Sequence, residues 1–134
     1  MDHVIWKNGR DDTLIQGDLT LVEEEENMKV LINQTGLYFV YTQATFDCTR
    51  FIYRKPSHIS RISHQVKLFS IKQNEDINLL SAHKTISTGG PTSIYEGGLF
   101  MLNSGDKLYT VTNSSDCVIM KRKGGETYFG LYAW

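Results

Sequence analysis

No stretch of this sequence approaches the ~18 consecutive apolar residues that a helix needs to cross a bilayer. The start Met1-Asp2-His3-Val4 has no charged segment followed by an apolar run, so the piece is expected to be soluble and to make no membrane contact itself. Nor is there an excess of charge: Lys+Arg 14 against Asp+Glu 15 leaves a net charge of -1, with no basic field to gather phosphates. Nucleic acid is thereby excluded as a partner. Two cysteines, Cys48 and Cys117, are too few for a disulfide scaffold and have neither the spacing nor the companions of a zinc site. Taken alone they leave the redox compartment open.

Catalytic signatures are missing too. G-x-S-x-G, H-E-x-x-H, G-x-G-x-x-G and the phosphate loop are all absent. The four histidines are scattered. His58 and His64 could share a strand face by even spacing, but no third ligand is evident, and both read as surface or partly buried side chains. No metal, no cofactor and no enzymatic activity are expected.

What is present is a period of 2, punctuated at short intervals by Gly, Asn, Asp and Pro, over 134 residues that make one domain. Helical spacing of apolar residues over three turns is nowhere sustained. Strands are predicted at 13–22, 28–33, 36–46, 62–71, 76–86, 94–102, 106–113 and 127–134. Turns are predicted at Asn33–Gly36, Gln73–Asp76, Gly89–Thr92 and Asn103–Gly105. The run Glu23–Glu26 lacks the spaced oxygen ligands of a calcium loop and reads as a solvated hairpin end. The fold class is all-β, a two-sheet antiparallel sandwich.

In such a sandwich one face of each strand meets the core and the other meets water. Ser63–Leu68 obeys this, with Val66 and Leu68 on one side and Gln65 and Lys67 on the other. Gly36–Tyr41 does not, because Leu37, Phe39 and Tyr41 share one face while Tyr38 and Val40 occupy the opposite one. At the C-terminus Tyr128, Tyr132 and Trp134 fall on one face, and Phe129, Leu131 and Ala133 on the other. A chain this short has no third layer to cover a second apolar face, so self-association through one whole sheet is expected. Asn33-Gln34-Thr35 and Asn113-Ser114-Ser115 fit the N-glycosylation acceptor pattern, which makes Asn33 and Asn113 candidate glycan sites on a secreted chain.

Gly36–Gln43, Ile94–Phe100 with Leu102, Gly105–Leu108 and Tyr128–Leu131, in this order and spacing, resemble the tumour necrosis factor family from about Trp6 to Trp134. His64–Ser70 and Asn78–Lys84 follow its tumour necrosis factor and lymphotoxin branch, and Tyr128–Tyr132 its Fas-ligand branch. The resemblance implies a jelly-roll protomer, a homotrimer around a threefold axis, and receptors of the tumour necrosis factor receptor family bound in the grooves between subunits. It further implies an extracellular cytokine, as the ectodomain of a type II membrane protein or its shed form. Family positions at the trimer axis map onto Phe39, Tyr41, Tyr95, Tyr128 and Tyr132. Receptor-contacting loops map onto Lys7–Asp12 with Arg10 and Asp11, onto Arg50–Arg54 with Tyr53, onto Gln73, Asn74 and Glu75, and onto Asp116–Arg122 with Lys121.

The chain also departs from the family's pattern. Lys72–Asp76 lacks the tyrosine that often anchors the receptor. Only Asp2–Ile5 remain for the family's first inner strand, which is expected to be truncated, replaced or absent. The disulfide common among relatives cannot form, since its second position falls at about Ser87. In this architecture Cys117 instead comes beside the strand ending at Phe46, so a Cys48–Cys117 bridge is expected, with two free or buried thiols as the alternative. Other functional readings are a carbohydrate-binding or lectin-like sandwich, and a complement-type globular head, whose Gly-X-Y stalk is not present here.

Overall fold

A computed structural model describes the backbone of residues 13–14, 19–24, 27–49, 59–87, 89–114, 117–120 and 127–134, and side chains within these from Lys29 onward. The strands are β1 (Thr13–Leu14), β2 (Leu19–Glu24), β3 (Asn27–Ile32), β4 (Gly36–Asp47) and β5 (Ser60–Ser70). After them come β6 (Glu75–Ile86), β7 (Pro91–Leu102), β8 (Lys107–Ser114), β9 (Val118–Ile119) and β10 (Tyr128–Ala133). They form two sheets, one ordered β1-β10-β4-β7 with β9 also on β4, the other β2-β3-β8-β5-β6. This is the two-sheet jelly-roll sandwich expected, with one exception to its antiparallel pairing: β1 runs parallel to β10 for two residues.

Strand 13–22 of the sequence reading is corrected to two pieces. β1 joins one sheet through β10 and β2 the other through β3, so the chain changes sheets between them. Glu24 pairs with Asn27, which places the hairpin end at the acidic run. The predicted turn at Gln73–Asp76 shifts to Ile71–Asn74. Asn74 adopts φ 53° and donates its N–H to Ser70 O at 2.8 Å, closing a tight turn that leaves Glu75 as the first residue of β6. Strand 94–102 starts earlier, at Pro91, because proline costs no ladder bond at the first residue of an edge strand.

Alternation fixes which side chains go inside. Tyr38, Val40, Val66, Leu102, Leu108, Phe129 and Leu131 belong to one inter-sheet cluster, and Ala44, Phe46, Ile62, Ile86 and Ile94 to a second. Between the clusters lies a polar row of Thr42 on β4, His64 on β5, Thr112 on β8 and Glu96 on β7, all buried. Thr42 Oγ1 donates to Tyr128 O at 2.8 Å, so the 2.8 Å contact with His64 Nε2 requires the imidazole to donate. Thr112 Oγ1 then donates to Nδ1 at 2.8 Å, and the ring, neutral with its proton on Nε2, ties the two sheets together. Complete burial holds His64 well below its ordinary 6.5, at about 4. The reading of His64 as a surface or partly buried histidine is therefore overturned; its even spacing from Val66 and Leu68 had put it on the core side. His58 lies outside the described residues.

One end of the sandwich is pinned by Asp106, which is buried. Its carboxylate accepts Ile71 N–H at 3.1 Å and Asn103 N–H at 2.9 Å, and its carbonyl accepts Ile32 N–H at 2.9 Å. Three chain reversals are thus bound together at one residue, two through its side chain and one through its main-chain carbonyl. Near the other end Cys48 and Cys117 form a disulfide, with Cα atoms 4.4 Å apart, inside the second cluster. The free-thiol alternative is not realised. The pairing of Phe46 with Ile119 and Asp47 with Val118 brings the two cysteines together.

Candidate functional site: the outer face of the β10-β4-β7 sheet

Residues of odd number on β4 and β7 and of even number on β10 point away from the core, and register aligns them into rows. Gln43 lies between Tyr95 and Tyr128, Tyr41 between Gly97 and Gly130, and Phe39 between Leu99 and Tyr132. Leu37 pairs with Met101, and its carbonyl accepts the N–H of Trp134 at 2.8 Å. These four rows contain no charged side chain. Tyr95 is 57% exposed, Met101 64% and Trp134 72%, although all three belong to types that a finished surface seldom shows together.

The rings are ordered against one another. Phe39 and Tyr132 have centroids 5.6 Å apart, and Tyr41 lies 6.1 Å from Tyr128 and 6.2 Å from both Phe39 and Tyr132. The glycines make this possible: a Cβ at Gly130 would collide with the phenol ring of Tyr41, and one at Gly97 would come 3.2 Å from the Phe39 ring. Burial, then the phenols of Tyr132 and Tyr95, raise the pKa of Tyr41; burial, then Tyr95 and Tyr41, raise that of Tyr128. Tyr41 and Tyr128 therefore keep their phenol protons at physiological pH. Beyond Gln43 it is closed by a polar knot, in which Thr45 N–H donates to Thr127 Oγ1 at 3.1 Å and Thr45 Oγ1 meets Ser93 Oγ at 2.8 Å.

All five residues expected at a trimer axis, Phe39, Tyr41, Tyr95, Tyr128 and Tyr132, come together on this face. Leu99 and Met101 join them and were missed, although two-residue spacing from Tyr95 was the available signal. Of the receptor-loop residues, Gln73 and Asn74 are exposed at the β5–β6 turn and Glu75 opens β6. Arg10, Asp11, Arg50, Tyr53, Arg54, Lys121 and Arg122 lie outside the described residues, as does Asp2–Ile5. Asn33 is exposed in the β3–β4 connection and Asn113 on the outer face of the other sheet.

A cleft of about 410 Å³ on that other face is lined by Arg61, Ser63, His83, Lys84, Thr85 and Asn113 among others. Its lining holds no Phe, Tyr or Trp and lies on the opposite side from the rings, so among the described residues this cleft does not combine a concavity with the stacking surface that a sugar site uses.

Comparison with known proteins bears on what this face does. The family model described as the TNF (Tumour Necrosis Factor) family matches residues 5–134. Tumor necrosis factor of Sparus aurata is 34% identical over 147 residues, covering 98% of this chain and 56% of that protein. Lymphotoxin-alpha of Notamacropus eugenii is 32% identical over 136 residues, covering 98% and 64%. Lymphotoxin-alpha of Oryctolagus cuniculus is 30% identical over 139 residues, covering 98% and 66%. The chain thus spans between about half and two-thirds of the length of the curated relatives it matches.

Proposed function

Because this chain belongs to the tumour necrosis factor family, we propose that it is the receptor-binding domain of an extracellular cytokine, which assembles as a homotrimer and clusters receptors of the tumour necrosis factor receptor family. The observation that carries the reading is the charge-free aromatic face of β10, β4 and β7, which a single protomer leaves open. Aromatic rings bury much area and lose little rotamer entropy when fixed, so three such faces meeting about an axis are favoured. The trimer then presents three equivalent grooves between subunits. Receptors drawn into them are held at fixed spacing, and signalling follows from that proximity with no bond made or broken.

The loops proposed to choose the receptor are Lys7–Asp12, Arg50–Arg54, Gln73–Glu75 and Asp116–Arg122, carried on the rigid sandwich. Of these, the exposed β5–β6 turn shares the Asp106-pinned end with the connection that holds Asn33. The precursor is proposed to be a type II membrane protein, from which this domain is presented or shed. N-glycans are proposed at Asn33 and Asn113, neither of which is on the aromatic face.

Sedimentation equilibrium at micromolar protein, followed by capture against a panel of receptor ectodomains, tests the proposal. A threefold mass with binding to at least one receptor is expected. A stable, folded monomer would overturn it.

A further inference from the structure

We propose that Glu96 makes assembly pH-dependent: when its carboxyl group gives up its proton, the β7 edge of the sandwich loosens, and association through the aromatic face weakens with it. The assembly half rests on the trimer reading above. The loosening of β7 rests on local geometry alone.

Glu96 is only 8% exposed, and both carboxyl oxygens are shut off from solvent without a hydrogen-bond partner. In its own sheet it lies beside Thr42, whose hydroxyl proton goes to Tyr128 O. The facing row holds Ala82, His64 and Thr112, since Ala82 and Thr112 both pair with His64 and His64 meets Thr42. Ala82 offers only a methyl group, and both His64 nitrogens are occupied by threonines. β10 contributes Phe129 and Leu131 to this side. On β6, Lys84 gives its Nζ to Thr92 Oγ1 at 3.1 Å, and His83 alternates outward to Ser81. No cation from the packed strands is paired with Glu96, and burial raises its carboxyl from 4.5 to about 7.

An ionised carboxylate held there is costly, and the structure supplies one route to relieve it. Among the described residues β7 pairs with β4 alone, so its other edge is open. Glu96 is followed by Gly97 and Gly98, the second opposite Leu80, and glycines adapt readily to a change of backbone. Lifting β7 from β6 lets water reach the carboxylate. The same strand carries Tyr95, Leu99 and Met101 on its other side, so its opening disorders one flank of the aromatic face.

The test measures trimer dissociation by sedimentation equilibrium and amide exchange of β7, corrected for intrinsic rate, at pH 6 and pH 8. Wild type is compared with Glu96→Leu and Glu96→Gln. The wild-type dissociation equilibrium is expected to shift toward monomer between the two pH values, by up to about tenfold per protomer where the freed protomer loosens β7, with β7 protection falling in step. In the variants both readouts should change less than roughly twofold from this cause. Equal pH dependence in wild type and variants would overturn the proposal. If no species trimerises at either pH, the trimer reading fails while β7 protection still decides the switch, and pH-independent protection overturns it. Glu96→Gln keeps the side-chain shape and supplies the comparison if Glu96→Leu does not fold.

Discussion

The two outer faces of this sandwich are built on the same kind of strand and finished in opposite ways. On β10, β4 and β7 the contacts are ring upon ring, with Tyr41 about 6 Å from Phe39, Tyr128 and Tyr132, and Phe39 5.6 Å from Tyr132. On β5, β6 and β8 the polar groups satisfy each other: Tyr109 donates to Asp76 Oδ1 at 2.6 Å, Lys29 Nζ lies 4.7 Å over the Tyr109 ring, and Gln65 Nε2 donates to Ser81 Oγ at 3.2 Å. Backbone pairing is regular in both. What differs is whether the protomer completes its own surface, and that is decided by side chains two residues apart along each strand.

The sharpest way to break the comparison is to place one charge on each face. Tyr95→Asp would desolvate a carboxylate without a partner in the assembled state, a cost of about 3–5 kcal/mol per interface, and trimer and receptor binding should be lost together. Gln65→Asp, on the face that is already solvated, should leave both intact. Equal sedimentation profiles for the two variants would show that the faces are not functionally distinct.

A change to the shared interior should not discriminate between the faces at all. Replacing Cys48 and Cys117 with serine removes a bridge that closes a 69-residue separation, and should lower unfolding stability by about 4 kcal/mol, read as a lower denaturant midpoint. Aromatic packing and the polar ladder should weaken together. Selective loss of one face would mean that the bridge serves that sheet alone.

The polar row between the two core clusters gives the next effect. Glu96 is raised from 4.5 to about 7, so from this group stability is lost as pH rises across that window. His64 is lowered from 6.5 to about 4, so its contribution is lost as pH falls through the overlapping window. The two slopes oppose each other, and this pair leaves wild-type stability nearly level from about pH 4.5 to pH 6.5. His64→Gln removes one limb. Its stability should then fall by up to about 3 kcal/mol as pH rises from 4.5 to 7, measured by urea unfolding. A level profile in that variant would contradict the assignment of Glu96.

Much of this was legible in the residues, and the boundary of legibility has a physical cause. The alternation of Leu37, Phe39 and Tyr41 against Tyr38 and Val40 is a local property of an extended chain, so it predicted the open face without any tertiary knowledge. The same arithmetic, carried two residues back from Val66 or on from Ile94, would have put His64 and Glu96 inside. Polar character argued against it, and the hydrogen bonds that stabilise a buried imidazole come from Thr42 and Thr112, distant in sequence. The change of sheet between β1 and β2 leaves no mark on periodicity, because two short strands in different sheets alternate just as one long strand does. The Cys48–Cys117 bridge depended on strand order, and was reached through resemblance to a fold. The Asp106 clamp was not foreseen, since nothing local distinguishes an aspartate that accepts two backbone N–H groups from one that ends a turn.

Within the aromatic face itself, Gly130→Ala tests how closely the rings must lie. The added Cβ would collide with Tyr41, forcing that ring off Gly130 and out of its place among Phe39, Tyr128 and Tyr132. A cost of about 1–3 kcal/mol is expected, appearing more strongly in trimer dissociation than in unfolding of the protomer. The reverse ordering would mean that the ring arrangement serves the fold and not the interface.

The smallest effect belongs to the opposite face, and it defines what a completed surface means. Tyr109→Phe keeps the ring beneath Lys29 and removes only the hydroxyl that donates to Asp76. The bond is short and its acceptor is charged, yet Asp76 is exposed and water replaces the lost donor, so unfolding stability should drop by about 0.5–1.5 kcal/mol. Because the Lys29 contact remains, no apolar surface is newly uncovered, and trimer dissociation should not move. A shift in dissociation as large as that of Gly130→Ala would mean that both faces take part in assembly, and the contrast between them would have to be abandoned.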